Sequence, residues 1–355
     1  MELAKALLTW YKAEKRDLPW RRDQDPYKIW VSEIMLQQTR VEAVIPYFER
    51  FLSRFPTIES LAVAPEEEVL QYWQGLGYYS RARNLHKGVR EVAVAYGGKI
   101  PVCPTEIKKL AGVGDYTAGA IASIAFQVDC PAVDGNVMRV FSRLFAVAED
   151  ISTTAVKRKI TKLVHDQLPQ GEAGDFNQAL MDLGAAVCIP GNPRCQFCPL
   201  TAYCEAFKLE RTKELPIKRP KKQPRSVYVT ASVIVYKEKY LVIQRPKTGL
   251  LAGMWQFPAQ ELERPQVLAE NASFWETQGI QFETGEFLCA LTHTFSHIRW
   301  YLEVYCYSAK VIPKELAANS PVKRWLTCSE LKDITWAGPY GKIAAMILER
   351  NSPTA

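Results

Sequence analysis

Residues 110–120 of the 355-residue chain read LAGVGDYTAGA, and helical patterns flank this stretch on both sides. Gly112 and Gly114 enclose Val113, and glycine permits positive φ and close approach of the backbone. Consecutive amides here, together with the N-terminus of the following helix, could face one anion such as a nucleic-acid phosphate. The alternative is a plain turn between two helices, which is the better interpretation of an isolated Gly-x-Gly.

Residues 1–210 carry apolar side chains at helical spacing almost throughout, without alternating strand and helix patterns, which predicts an all-α domain. Apolar residues make up 48% of the chain and charged residues 23%, values typical of globular proteins. No stretch approaches the roughly 18 consecutive apolar residues of a membrane span. Lysines interrupt the apolar residues of MELAKALLTWYKAEKR at the N-terminus, so this segment does not read as a signal peptide. We therefore expect a cytoplasmic protein.

A change of composition marks the boundary with a second domain. Residues 1–210 have zero net charge, whereas the linker predicted at 211–226 is basic, and its residues 211–225 contribute +6 of the net +7. Whether this linker also contacts a polyanion is left open. Residues 227–351 are rich in β-branched residues and tyrosine, with period-two alternation in HIRWYLEVYCYSAKV and a helical pattern in YGKIAAMILER. They predict a small α+β domain.

Four of the nine cysteines lie within 17 residues, in CIPGNPRCQFCPLTAYC at 188–204. Disulfides are a poor explanation for cysteines in a reducing compartment, so these four are interpreted as ligands of a metal centre: Cys188, Cys195, Cys198 and Cys204. Spacing alone leaves both zinc and an iron–sulfur cluster open. The other five cysteines are scattered and are expected to act as small apolar side chains.

Two acidic residues occupy positions that have an ordinary structural explanation. Glu33 lies off the apolar stripe of its helix, so periodicity alone predicts an exposed glutamate. Asp134 directly precedes a helix with a strong apolar stripe, where an N-cap contributes roughly 1 kcal/mol. Neither residue would be singled out without the context of the surrounding motifs.

That context is a resemblance to a known family, carried by five segments in one order: WVSEIMLQQTRV (30–41), GLGYYSRARNL (75–85), GVGDYTAGAI (112–121), AVDGNVMRV (132–140) and the four-cysteine loop. Over nearly all of residues 5–210 the chain resembles the adenine DNA glycosylase (MutY) family of the endonuclease III superfamily. The resemblance implies a helix-hairpin-helix fold with a [4Fe-4S] cluster in the cysteine loop. It also implies release of adenine mispaired with 8-oxoguanine or guanine in double-stranded DNA. We expect a monomer that associates with the bacterial nucleoid through DNA.

The resemblance assigns catalytic roles to four residues. Glu33 would donate a proton to adenine and later activate water, and Asp134 would stabilise or transiently bond the sugar cation. Tyr116 and Asn136 would orient these groups. Bifunctional relatives carry a lysine at the position of Tyr116, and a phenol cannot form the Schiff base through which that lysine acts. The chain is therefore predicted to be monofunctional and to leave an abasic site.

The same resemblance assigns residues that hold the base and the DNA. RDLPWR (16–21) and FNQALMDLGA (176–185) supply the candidates for the adenine pocket, which are Arg16, Leu18, Trp20, Arg21 and Gln178. Positions that would wedge into the duplex or hold its backbone are Gln38, Thr39, Leu76, Gly77, Tyr78, Gly112, Val113 and Gly114. Taken alone, Trp20 and Tyr78 would be interpreted as core residues.

In the second domain, RPKTGLLAGMWQFP (245–258) resembles the Nudix fold of nucleotide pyrophosphohydrolases. Its metal-binding box is degraded, because the charged positions hold Ala272, Ser273, Glu276 and Thr277, so magnesium is not expected. TFSHIRW (294–300) resembles the family's loop that reads 8-oxoguanine, with Ser296 as the hydrogen-bonding candidate and Phe295 and His297 beside it. The alternative is a β-turn with a surface histidine.

Three other functions are weighed against adenine release. A bifunctional lyase for oxidised pyrimidines is disfavoured by Tyr116 and by the second domain. A Nudix hydrolase of oxidised nucleoside triphosphates is disfavoured by the degraded box. A DNA-binding module without activity would leave Glu33 and Asp134 unexplained.

Overall fold

A computed structural model describes residues 2–219 and 223–351, and the chain forms two compact units, Met1–Pro220 and Lys221–Ala355. Residues 220–222 of the predicted linker lie outside the described residues. The first unit is helical and the second is built on a mixed sheet, which confirms the predicted combination of an all-α and an α+β domain.

The first unit is a succession of helices, and its longest connection, residues 187–204, holds the four-cysteine loop. The helices are Glu2–Glu14 (α1), Pro26–Leu36 (α2), Val41–Arg54 (α3), Ile58–Ala62 (α4), Glu66–Trp73 (α5), Ser80–Ala95 (α6), Pro104–Ile107 (α7), Asp115–Phe126 (α8), Gly135–Leu144 (α9), Thr154–Gln167 (α10), Ala173–Ala186 (α11) and Glu205–Lys208 (α12). Short 3-10 turns lie at Pro19–Arg21, Cys195–Phe197 and Thr201–Tyr203. No strand occurs within residues 2–219.

Helix α2 is placed so that nearly its whole circumference is buried. Asp25 caps its N-terminus by accepting from the amides of Tyr27 and Lys28, and Pro26 supplies the fixed φ of a first helical residue. The helix packs against α3, α6 and α8. Because neighbours surround it, Glu33 is buried although it lies off the apolar stripe. The exposed position expected from periodicity alone is therefore wrong.

The glycine stretch forms the predicted turn between two helices, α7 and α8. Gly112 has φ +77°, and a Cβ built there would lie 2.5 Å from the Cβ of Asn84, so this position requires glycine for two reasons. Gly114 is the N-cap of α8 and offers no side chain to the first amides of that helix. Tyr116 thereby falls in the first turn of α8.

The second unit contains seven strands within its described residues 223–351: Arg225–Tyr236 (β1), Lys239–Gln244 (β2), Trp255–Gln256 (β3), Ala259–Leu262 (β4), Gln281–Thr294 (β5), Ile298–Val311 (β6) and Lys323–Thr327 (β7). The order β3-β2-β1-β6-β5 is extended by β4 on β1 and by β7 on β2. Strands β1 and β6 are parallel and all other pairs are antiparallel. Its helices are Leu268–Thr277 (α13), Lys314–Ala317 (α14) and Tyr340–Arg350 (α15).

The sequence patterns of the second unit correspond to these elements. The turn between β1 and β2 consists of Lys237 and Glu238, which both adopt positive φ, as a two-residue hairpin turn requires. Helix α15 covers YGKIAAMILER as predicted. Among the described residues, no helix combines the length and the apolar character needed to cross a bilayer.

Candidate active site

A cavity of about 1030 Å³ opens in the helical unit and brings together residues that are far apart in sequence. The predicted site residues that line it are Arg16, Leu18, Trp20, Arg21, Glu33, Gln38, Thr39, Gly114, Tyr116, Asp134, Asn136 and Gln178. Its volume exceeds that of a single purine, so a base and part of its sugar can enter together. Leu76, Gly77, Tyr78, Gly112 and Val113 do not line it.

Glu33 projects from α2 into this cavity and accepts a hydrogen bond from the hydroxyl of Tyr116. Burial raises the pKa of Glu33 to about 7; the bond from Tyr116 and the charge of Arg21 oppose this shift, and the charge of Asp134 adds to it. The pKa of Tyr116 is itself raised well above its usual value, chiefly by burial, so the phenol stays protonated and remains a donor. Glu33 therefore holds a proton close to neutrality.

Asp134 lies at the N-terminus of α9 and is both a helix cap and a member of the cavity wall. Its Oδ1 accepts from the amide of Val137 at 2.7 Å, and its Oδ2 accepts from Nδ2 of Asn136 at 2.8 Å. Burial raises the pKa of Asp134, while these hydrogen bonds favour the charged form. The environments of Glu33 and Asp134 thus differ: one carboxyl has a single phenol partner, whereas the other has an amide on each oxygen.

Arg139 fixes the orientation of Asn136. Its Nη2 donates to Oδ1 of Asn136 and to the carbonyl of Gly184, both at 2.8 Å. With its oxygen occupied in this way, the amide of Asn136 must direct its NH₂ group towards Asp134. A Cβ at Gly184 would lie 2.6 Å from the Cβ of Asn136, so α11 packs directly against this pair.

Two of the candidates for the adenine pocket, Arg16 and Arg21, bind Asp182, a buried residue of α11. Nε of Arg16 donates to Asp182 at 3.0 Å, and Arg21 donates to both carboxylate oxygens at 2.7 and 3.1 Å. The bonds from Arg21 and Arg16 prevail over burial and lower the pKa of Asp182. The charges of Arg16 and Arg21 are thereby partly neutralised, which limits how far Arg21 lowers the pKa of Glu33.

The remaining pocket candidates supply apolar surface and one amide. Leu18 and Trp20 are buried, and the ring of Trp20 contacts that of Phe48 edge to face at 5.3 Å between centroids. Gln178 is half-buried, and its Nε2 donates to the carbonyl of Gly174 at 3.3 Å, which leaves its side-chain oxygen as an acceptor. Trp20 therefore contributes both to the core and to the cavity wall.

The residues predicted to wedge into DNA lie on two turns. Gln38 and Thr39 follow α2, and the second turn, Leu76 to Tyr78, precedes α6. Gln38 and Tyr78 are exposed, whereas the side chain of Leu76 is buried. The glycine turn exposes Gly114 and buries Val113, and its neighbour Asp115 forms an ion pair with Lys108.

All four predicted ligand cysteines lie in the loop between α11 and α12 and are partly buried. Burial raises the pKa of Cys198 to about 11, and it also raises the pKa values of Cys195 and Cys204. Nη1 of the buried Arg143 lies 3.3 Å from Sγ of Cys188 and also donates to the carbonyl of Ile189. Within residues 2–219 and 223–351, no three His, Cys, Asp or Glu side chains converge closely enough to hold a single metal ion.

In the second unit, Phe295, Ser296 and His297 form the turn between β5 and β6. The amide of Phe295 donates to the carbonyl of Ile298 at 2.7 Å, and its ring contacts that of Trp300 at 5.0 Å between centroids. Ser296 and His297 are exposed at the tip. Ala272, Ser273, Glu276 and Thr277 lie on α13, where Glu276 is the single acidic member of the degraded box.

Three residues that shape the site were not predicted: Arg81, Arg139 and Asp182. Asp182 lies four residues after Gln178 on the same helix, and residues at this spacing share one face of the helix. The sequence could therefore have placed Asp182 beside the adenine pocket. Arg139 lies three residues after Asn136 on α9, which is an equivalent signal. Arg81 carried no comparable signal, because its partners are backbone carbonyls apart from the hydroxyl of Thr39.

Two family models match the chain. Residues 31–166 match the HhH-GPD superfamily of base excision DNA repair proteins, and residues 230–346 match the NUDIX domain. The helical unit resembles the structure of a thermostable thymine-DNA glycosylase with a TM-score of 0.53 and 31% identity, covering 59% of this chain and 96% of that one. A trapped endonuclease III–DNA covalent intermediate is similar over 59% of this chain and 95% of that one, with a TM-score of 0.51 and 25% identity.

Curated relatives extend the similarity over both units. The adenine DNA glycosylase of Mus musculus is 37% identical and covers 98% of this chain and 78% of the relative. That of Homo sapiens is 37% identical over 92% of this chain and 70% of the relative. That of Buchnera aphidicola subsp. Baizongia pistaciae is 31% identical, over 98% of this chain and 97% of the relative. With both domains matched and the cavity residues in place, the chain belongs to the adenine DNA glycosylase family of base excision repair enzymes.

Proposed function

We propose that this glycosylase hydrolyses the N-glycosidic bond of adenine mispaired with 8-oxoguanine or guanine and leaves an abasic site. The observation that carries the proposal is a pair of carboxyls in one cavity, the buried Glu33 and the partly buried Asp134, of which Glu33 keeps a proton up to about pH 7. Burial raises the pKa of Asp134, and hydrogen bonds from the amide of Val137 and from Asn136 offset part of this shift by favouring the charged form. Two carboxyls in such different environments suit an acid and a charge-stabilising partner.

The chemistry of the bond explains the need for both groups. Adenine leaves as an anion unless a ring nitrogen is protonated, and bond cleavage leaves positive charge on the sugar. Glu33 transfers its proton to the base, and its carboxylate then accepts a proton from the attacking water. Asp134, fixed by Asn136 and the amide of Val137, places negative charge where the sugar cation develops.

The monofunctional outcome is supported by the group that stands in the first turn of α8. Tyr116 is partly buried, and its hydroxyl donates to Glu33, so this position after the glycine turn holds a phenol and not an amine. Lys157 and Lys218 also line the cavity, but within the described residues neither has a hydrogen bond or ion pair to Glu33, Tyr116 or Asp134. A Schiff-base route would require one of them to reach the sugar carbon.

The iron–sulfur proposal rests on the chemistry of the four thiols. Burial disfavours the thiolate at Cys195, Cys198 and Cys204, so ionisation of these groups requires a bound cation to compensate. Arg143 places a positive charge beside Cys188. Such a charge would stabilise a cluster with four thiolate ligands, because its net charge is negative. The residues fit a [4Fe-4S] cluster held by Cys188, Cys195, Cys198 and Cys204, which would stabilise this loop and its position against DNA.

We assign recognition of 8-oxoguanine to the β5–β6 turn. Phe295 packs on Trp300 and anchors the turn, while Ser296 projects an exposed hydroxyl that can donate and accept. Ser296→Ala should reduce the preference for 8-oxoguanine over guanine by about tenfold, the effect of one lost hydrogen bond. The measurement is the ratio of kcat/KM on the two duplexes.

The control for this prediction is Ser273→Ala, an exposed serine on α13 of the same unit. It should leave the ratio unchanged. An equal ratio in Ser296→Ala and the unaltered protein would mean that other residues read the opposite base.

The function is tested with duplexes carrying adenine opposite 8-oxoguanine, guanine or thymine. Free adenine should appear from the first two and not from the third, and strand breaks should appear only after alkali. Failure to release adenine from any duplex would remove the proposal.

A further inference from the structure

Arg81 is a buried residue of α6 that lies between the two turns assigned to DNA contact. From one side, its Nη1 donates to the carbonyls at the end of α2, which belong to Ile34, Met35 and Gln37. From the other side, its Nη2 lies 3.2 Å from each of three acceptors, the carbonyls of Leu76 and Gly77 and the hydroxyl of Thr39. One guanidinium therefore bridges both turns.

Each turn carries an exposed residue with a strained backbone. Gln38 has φ +59° and Tyr78 has φ +48°, a region that side chains other than glycine adopt only when their surroundings enforce it. Arg81 donates to the carbonyls of Gln37 and Gly77, the residues directly before these two positions. It thereby fixes the peptide group that leads into each strained residue.

The electrostatics of Arg81 distinguish it from an ordinary buried ion pair. Within the described residues its hydrogen-bond acceptors are carbonyls and one hydroxyl, without a carboxylate. Burial lowers its pKa to about 10, so it remains charged at neutral pH. Its guanidinium also faces the rings of Trp73 and Tyr78, at 5.4 and 5.5 Å from their centroids. The planar fork of arginine serves two separate sets of carbonyls, which an ammonium group cannot match.

We propose that Arg81 is a positioning residue that locks the Gln38 and Tyr78 turns into one rigid unit, prepared to displace adenine from the DNA stack. The DNA part of this inference rests on the proposed function. We call the hydrogen bonds by which Arg81 joins the two turns the clamp. Because the clamp makes the turns rigid before binding, less conformational entropy is lost when both enter the duplex. It therefore contributes to extrusion of the base and not to bond cleavage.

The clamp itself is tested without DNA, by hydrogen exchange of the free protein. Arg81→Lys should accelerate amide exchange about tenfold at both turns, residues 36–39 and 76–79. Arg90→Lys is the matched control, because Arg90 lies on the same helix and also donates to backbone carbonyls, those of Ala62 at the end of α4 and of Ala64. Faster exchange at only one turn, or at neither, overturns the clamp. Should Arg81→Lys not fold, Thr39→Val removes one acceptor and should give the same direction of change.

The role in extrusion is tested with two substrates. Arg81→Lys should lose at least about tenfold in kcat/KM on adenine paired with 8-oxoguanine, and much less on adenine opposite an abasic site, which costs less to unstack. An equal loss on both substrates would assign Arg81 to general stability and overturn this part. If the unaltered protein released no adenine from either substrate, the proposed function would fail, while the exchange experiment would still decide the clamp.

Discussion

Glu33→Gln should lower the single-turnover rate of adenine release by a factor on the order of 10²–10⁴, the usual contribution of a positioned acid. Glutamine keeps the size of the side chain and can still bond to Tyr116, but it has no carboxylic proton to transfer. Affinity for the mispaired duplex should persist, because the change does not touch the turns assigned to DNA contact. Rates at saturating enzyme and binding to an uncleavable duplex separate these two effects.

The pH dependence gives the same prediction a second readout. Since the pKa of Glu33 is raised to about 7, its protonated form predominates below that pH and decreases tenfold per pH unit above it. The rate of the unaltered protein should therefore fall as pH rises through about 7. The residual rate of Glu33→Gln should not show this decrease. Glu67→Gln changes an exposed glutamate of α5 and should keep both the unaltered rate of adenine release and its decrease above about pH 7. If Glu33→Gln kept the unaltered rate and the same decrease above about pH 7, Glu33 would be excluded as the proton donor to adenine.

Asp134→Asn should lower the same rate by a factor on the order of 10²–10³, the loss expected when one preorganised electrostatic partner is removed. Asparagine and aspartate are comparable N-caps, so the bond to the amide of Val137 can persist and α9 should keep its stability. The variant removes the negative charge while preserving the cap. Thermal unfolding together with single-turnover kinetics distinguishes the two roles.

The matched control is Asp25→Asn, because Asp25 caps α2 through the same type of bond, from the amide of Tyr27 at 2.9 Å. Both variants should melt close to the unaltered protein, and only Asp134→Asn should lose turnover. If Asp134→Asn released adenine at the unaltered rate, Asp134 would be a helix cap alone.

Local patterns predicted the elements of the fold, because helical and strand periodicity and glycine turns act over a few residues. The turn at Gly112 to Gly114 and the helical pattern of YGKIAAMILER, which forms α15, are examples. The burial of Glu33 could not be predicted in this way. It results from α3, α6 and α8 packing around α2, and periodicity within one helix contains no information on how many neighbours surround it.

Two of the site residues that sequence reasoning missed, Asp182 and Arg81, have roles that depend on partners far away in the sequence. Asp182 binds Arg16 from 166 residues away along the chain, and Arg81 binds carbonyls more than 40 residues before it. Such pairs become visible only when the helices are assembled. Apart from the hydroxyl of Thr39, Arg81 donates to backbone carbonyls, which every residue carries, so side-chain identities could not have indicated these partners.

Two carboxyls should release adenine without an amine nucleophile, and borohydride trapping detects such a nucleophile if one takes part. The protein is incubated with a duplex carrying adenine opposite 8-oxoguanine, with borohydride present, beside Lys157→Met and Lys218→Met, the two lysines that line the cavity. We expect full adenine release, strand breaks only after alkali, and no adduct in excess of that formed by either lysine variant. A covalent adduct in high yield that is lost in one lysine variant would exclude this mechanism, because a Schiff base would then lie on the reaction path.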